Sequence, residues 1–156
     1  MKKIAYTRAD GGVSIVCPLP KSEVEVVLGA MTDSEHDEHV WATSVPVNAV
    51  DAVYIENAAI PADREFRAAF KLNGKSIAFD LVKAKELQLE KIRQARAPKL
   101  LALDTDFMLA LENGDEAKKL EVVSAKQALR DITEPLKALV PTSIEDVKMA
   151  FPQELM

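Results

Sequence analysis

Two histidines, His36 and His39, stand three residues apart among Asp33, Glu35, Asp37 and Glu38. On a helix this spacing brings both imidazoles to one face with carboxylates in reach, which is the raw material of a transition-metal site. A third ligand at a recognisable distance is missing, and acidic residues at a helix start are favoured by the helix dipole alone. A solvated helix start is therefore the preferred reading, metal binding or pH sensing the competing one, and no metal or other cofactor is expected. Asp104 and Asp106 form another pair of acids. Acid-base work needs two carboxyl groups in one cleft with their pKa values driven apart, whereas helical residues two apart point to different sides. Ser14, Ser22, Ser34 and Ser44 lack a partnered His and Asp pattern. Gly11-Gly12, Gly74 and Gly114 are turn glycines, and none belongs to a phosphate-cradling loop followed by Lys-Ser/Thr. With no catalytic set, the expectation is a protein that is not an enzyme.

Charge narrows the partners. The 156 residues carry a formal net charge of -5, so the chain as a whole has no general attraction to nucleic acid or to an anionic membrane. The best local positive patch is KIRQARAPK, residues 91–99, with Glu86 and Glu90 beside it. It reads first as a solvated helix face or a protein contact, and second as a nucleic-acid contact of a small regulatory protein. Cys17, the single cysteine, follows a strand-like SIV and is expected to be a buried structural thiol. No apolar run approaches the roughly 18 residues of a membrane span, and the basic start MKK lacks a signal-peptide core, so a soluble chain made in the cytoplasm is expected.

The elements that must position these residues follow from turn and capping signals. IAYT and VSIVC flank Asp10-Gly11, which suits a tight antiparallel hairpin. KSEVEVVLGA fits a short helix capped by Ser22, although VEVV also suits a strand. Thr32 and Glu35 form a capping-box pattern for a helix that turns Trp41 inward, and AVYIE reads as a third strand. Residues 1–60 thus make a small α+β module. Asp63 opens ADREFRAAF, with Phe66, Ala69 and Phe70 on one side at helical spacing, so residues 61–79 read as a connecting helix and a turn at Asn73-Gly74.

From Asp80 a long pattern places Leu89, Ile92, Leu100, Leu103, Phe107, Ala110 and Leu111 in one apolar stripe. Pro98 should kink or break this helix near residues 95–97. After Asn113-Gly114, Asp115 caps a return helix whose Leu120, Val123, Ala128, Leu129 and Ile132 supply the facing row. Residues 80–137 are therefore expected to form an antiparallel helical hairpin, and residues 138–156 a tail with one short helix starting at Thr142 or Ser143. The fold class is α+β: a small N-terminal antiparallel sheet module with short helices, then a C-terminal helical hairpin.

Several of these segments resemble a family of small tail-associated proteins of tailed bacteriophages and prophages. The resemblance rests on the Asp-Gly-Gly hairpin and on Pro61, Asp63, Arg64, Phe66 and Arg67. It continues through Arg96, Ala97, Pro98, Leu100, Leu103 and Asp104, then Gly114-Asp115, then Lys126, Gln127, Leu129, Arg130 and Asp131. It covers roughly residues 1–15 and 60–135. Many relatives carry tryptophan where Phe70 stands, and Trp-Pro where this chain has Phe151-Pro152. The layout is also similar to tail-fibre assembly proteins. The resemblance implies a role in the host cytoplasm during assembly or on the virion tail, as a tail or fibre component or as a chaperone of the fibre. It implies a tail or fibre protein, or a second copy, as partner. An apolar stripe that one hairpin arm cannot cover needs another surface, so Trp41, Phe66, Phe70, Leu89, Ile92, Leu103 and Phe107, with Arg64, Arg67 and Arg96 as polar contacts, are the candidate partner-binding residues. For each apolar member, burial in the protein's own core is the competing reading.

Overall fold

In the computed structural model, which describes residues 2–156, the chain divides between Asp80 and Leu81 into two units. The first is built on strands β1 (Lys3–Thr7) and β2 (Val13–Val16), which pair antiparallel from Ile4 opposite Val16 to Thr7 opposite Val13. Their turn uses Gly11 at φ +75, where a Cβ would be strained, and Asp10 Oδ1 accepts the Gly12 N–H at 2.9 Å. Strand β3 (Val50–Ile55) adds to the other side of β1, giving the order β2-β1-β3 and leaving β2 at an edge. An extra residue of β3 bulges out between the partners of Ala5 and Thr7, and Asp51 adopts φ 54, a conformation that aspartate tolerates better than most residues.

Strand pairing sorts the side chains. Ala5, Val13, Ile15, Val53 and Ile55 share one face, which packs on a second hairpin of β4 (Phe70–Asn73) and β5 (Ser76–Phe79). Phe70 and Phe79 meet edge to face with ring centroids 5.3 Å apart. The opposite face includes Ile4 and Tyr54. Helices α1 (Lys21–Leu28) and α2 (Asp33–Ser44) complete the unit. The Tyr54 hydroxyl donates to the Asp37 carbonyl of α2 at 3.1 Å, and Trp41 lies against the Tyr54 ring at 5.3 Å. The capping box of Thr32 and Glu35 forms in both directions. The VEVV segment is helical, but Pro20 rather than Ser22 occupies the cap.

Three expectations for this unit are corrected. Trp41 is not turned inward; it remains 36 % exposed, covered on one side by Tyr54. Cys17 is exposed; it lies just beyond the end of β2. The helix expected over 63–70 is a short 3-10 turn, Arg67–Ala69, running directly into β4. Phe66, Ala69 and Phe70 are buried as their spacing required, but the Asn73-Gly74 turn, with Gly74 at φ 58, draws Phe70 into a hairpin. Residues 61–79 are thus part of the first unit and not a helical connector.

The second unit is all helical. Helix α3 (Leu81–Glu112) turns at Gly114, φ 66, into the antiparallel α4 (Glu116–Asp131), whose first turn is capped by Asp115 accepting the Lys118 N–H at 2.9 Å. Pro98 does not break α3, which is continuous. Pro98 and Gln94, the residue whose carbonyl loses its helical donor, are both exposed, so water can take the missing bond while the opposite side keeps its packing. Two further helices, α5 (Glu134–Ala138) and α6 (Ile144–Met149), and a 3-10 turn at Gln153–Leu155 return to the first half of α3. Ile92, Leu136 and Leu155 form the buried centre there, with Leu89, Leu129 and Ile132 packed against it. The segment expected as a tail therefore closes the core. Helix α6 starts at Ser143, reciprocally capped with Asp146.

Candidate functional site

The residues expected to meet a partner separate into three groups. Phe66 and Ile92 are fully buried, Phe70 nearly so, and Leu89 packs against the Ile92 cluster. Phe66 and Ile92 are thus core, the competing reading of each, whereas Leu89 is half-buried and Phe70 lines a cleft described below. Leu103 and Phe107 are half-buried along the hairpin. The Lys126 ammonium of α4 sits 4.7 Å from the Phe107 ring centre and pairs with Asp104 at 2.8 Å, so Asp104 is engaged in joining the two helices. Arg64 and Arg67 are exposed, as is Trp41 in part.

Arg96 has an internal task. Its guanidinium donates to the carbonyls of Leu129 and Arg130 at 3.2 and 3.1 Å, acceptors that the last turn of α4 leaves without helical donors. Other cations of α3 repeat this use. Lys85 Nζ donates to the Lys137 and Leu139 carbonyls, each at 2.7 Å, and Lys99 Nζ to the Glu154 carbonyl. Arg93 pairs with Glu90 at 3.5 Å. The basic run 91–99 is thus divided among clamps and ion pairs and does not form a free cationic face. Gln88, 2 % exposed, donates to the Lys148 carbonyl at 3.3 Å, while its own Oε1 has no hydrogen-bond partner.

The histidine cluster is likewise occupied by structural contacts. His36 Nε2 donates to the Leu19 carbonyl at 3.1 Å, and Lys21 pairs with Asp33 at 2.8 Å, holding that carboxyl below its ordinary range. Glu35 is lowered too, chiefly by the Thr32 N–H it accepts within the capping box. Burial pushes the nearby Tyr54 phenol up. Among the described residues no group of three or more His, Cys, Asp or Glu side chains is placed to hold a metal ion.

Two surfaces remain uncommitted. The first is the far half of the helical hairpin, where Leu101, Met108, Leu109 and Leu111 of α3 and Leu120 and Val123 of α4 are all at least half exposed. Leu111, Leu120 and Val123 were expected to face inward. On α4 the buried side belongs instead to Val122, with Leu129 and the largely covered Lys119 and Lys126 beside it. Lysine stems cover apolar surface while their heads reach carboxylates, so hydropathy alone misplaces this face.

The second surface is a cavity of about 380 Å³ in the first unit, bounded by the residues Gly12–Ile15 on one side and by Arg64, Arg67, Ala68 and Phe70 on the other. Arg8 also lines it. Asp10 holds the Arg8 guanidinium through Nε and Nη2 at 3.1 and 3.2 Å and raises its pKa further. The resemblance had singled out Arg64 and Arg67; Arg8 joins them only in three dimensions. Comparison with protein-family models, with curated proteins and with solved structures yields no match.

Proposed function

We propose that this chain is a non-enzymatic protein of the phage tail-associated kind, acting in the host cytoplasm during assembly or on the virion tail. It binds a tail or tail-fibre subunit through the far half of its helical hairpin. The observation that carries this reading is the exposed apolar set Leu101, Met108, Leu109, Leu111, Leu120 and Val123, brought onto one end of an antiparallel pair. Scattered exposed apolar residues need no explanation, but six between Leu101 and Val123 concentrate apolar surface on the far half of the hairpin, an enrichment of the kind that marks a protein contact. The absence of an enzymatic role is supported by the engagement of the candidate acids and imidazoles: Asp104 with Lys126, Asp33 with Lys21, His36 with the Leu19 carbonyl. A nucleic-acid role is disfavoured by the internal use of Arg96 and Lys99.

The test is quantitative mass spectrometry of purified particles of the encoding phage or prophage, with wild type compared to the double variant Leu109→Glu, Leu120→Glu. Wild-type protein at fixed stoichiometry with the tail identifies a virion component. Wild-type protein confined to the lysate in complex with the fibre identifies an assembly chaperone. In either case the variant should fold and fail to associate. A folded variant that associates as wild type does rules out the hairpin tip.

A further inference from the structure

We infer that the arginine-lined cleft beside β2 is a docking slot for an extended acidic peptide, taken up as an additional strand. This inference stands apart from the hairpin reading and concerns the other unit. It starts from a geometric point. The cleft touches Gly12, Val13, Ser14 and Ile15, four consecutive residues. Successive side chains of a strand point to opposite faces, so a cavity that contacts all four runs along the strand's edge, where the backbone itself is reached. The sheet order leaves that edge of β2 without a neighbouring strand.

The pairing fixes which backbone groups face the cleft. Arg8 N–H donates to the Gly12 carbonyl at 2.8 Å, so Arg8 opposite Gly12 is a hydrogen-bonded position of the ladder. Such positions alternate along an antiparallel pair. Tyr6–Ser14 and Ile4–Val16 then bond inward, while the N–H and C=O of Val13 and Ile15 point away from β1 into the cleft. An added strand satisfies those groups, as in other strand-addition complexes. An isolated small anion leaves them unpaired.

The charge specifies the side chains. Arg8 is already held by Asp10. Among the described residues Arg64 and Arg67 have neither a salt bridge nor a side-chain hydrogen bond, and both border the same cleft. The neighbouring Asp63 is turned to its own backbone, accepting the Glu65 N–H at 2.8 Å. Residues of an incoming strand that lie opposite Val13 and Ile15 share their face, which is the face toward Phe70 and the segment carrying Arg64 and Arg67. Carboxylates at every second position of the peptide therefore meet the two guanidiniums, where charge-assisted and bidentate bonds are available.

The probe is a capped hexapeptide alternating glutamate and valine, titrated into the full-length protein by calorimetry and by amide NMR. Two control peptides carry glutamine for glutamate, or N-methyl groups on the backbone edge that would pair. The glutamate peptide should bind, with slowed hydrogen exchange at the Val13 and Ile15 amides. Affinity should fall about tenfold or more with the glutamine peptide, with the N-methylated peptide and with the double variant Arg64→Gln, Arg67→Gln. Both arginines are exposed, so the variant should keep the wild-type melting temperature. Equal binding of the N-methylated peptide reduces the site to an anion pocket and overturns the inference. So does an absence of binding at about millimolar peptide. If neither form binds and the variant aggregates, the arginines guard a bare strand edge and the inference also falls.

Discussion

The two halves of α3 differ in what covers them. The first half lies against α5, α6 and the 3-10 turn at Gln153–Leu155, and there Ala84, Gln88 and Ile92 are buried. The second half runs beside α4, and of its residues only Ala110 is buried while four large apolar side chains stand out. Composition does not separate the halves, since leucine, alanine and charge are mixed throughout. A helix becomes core or contact surface according to what the later chain brings to it. In this unit residues far down the chain decide the matter for Ile92, through Leu136 and Leu155.

That contrast can be broken in order of expected effect. Replacing Ile92 by alanine should lower the stability of the helical unit by about 2–5 kcal/mol in denaturant titration, against no more than about 0.5 kcal/mol for Leu101→Ala. Similar costs at both positions would erase the distinction. Between the halves, Pro98→Ala should stabilise by up to ~3 kcal/mol, because it restores a donor in a helix that is already continuous. A loss instead would mean that the proline sets a bend the packing needs. Arg96→Ala should cost about 1.5–3 kcal/mol, with partial rescue by lysine, since a single ammonium reaches one carbonyl more readily than two. If Arg96→Ala leaves stability unchanged but abolishes partner binding, its place is at the interface and not in the clamp.

The smallest effect concerns pH. Asp146 lies below its ordinary value of 3.8 because its carboxylate accepts the Thr142 hydroxyl first of all, then the Thr142 and Ser143 N–H groups. A carboxyl lowered on folding stabilises fully above its unfolded pKa and loses that contribution as pH falls through the folded one. Helix α6, which helps cover the first half of α3, should therefore loosen below about pH 4. Asp146→Asn should flatten that acid-side decline in thermal melts, and an unchanged slope would assign the decline to other acids.

The sequence was most legible where a local rule leaves a local mark. Asp10-Gly11, Thr32 with Glu35, and Asp115 each declare a turn or a cap within four residues, and each forms as read. It was least legible where distant pairing decides. Phe66, Ala69 and Phe70 fit a helix by spacing, but the pull of β5 on Phe70 acts through a hairpin that the spacing does not contain. The face of α4 was misread because Lys119 and Lys126, polar by any scale, lie on its covered side. The Arg64 and Arg67 pair was visible as a motif, whereas its meeting with Arg8 and the edge of β2 depends on how the second hairpin packs on the first.

The burial of Leu155 beside Ile92 also sets a timetable for synthesis. The first unit has all of its strands once Asp80 has been made, so it can fold while the ribosome is still at work. The helical hairpin cannot close its centre until the residues at Gln153–Leu155 emerge. At roughly 5–20 residues per second, the interval is several seconds. Throughout that time the nascent α3 displays Ile92 on the face that Leu103 and Phe107 continue, opposite the lastingly exposed Leu101 and Met108, so a partner that arrives early meets an apolar face that one arriving late finds closed.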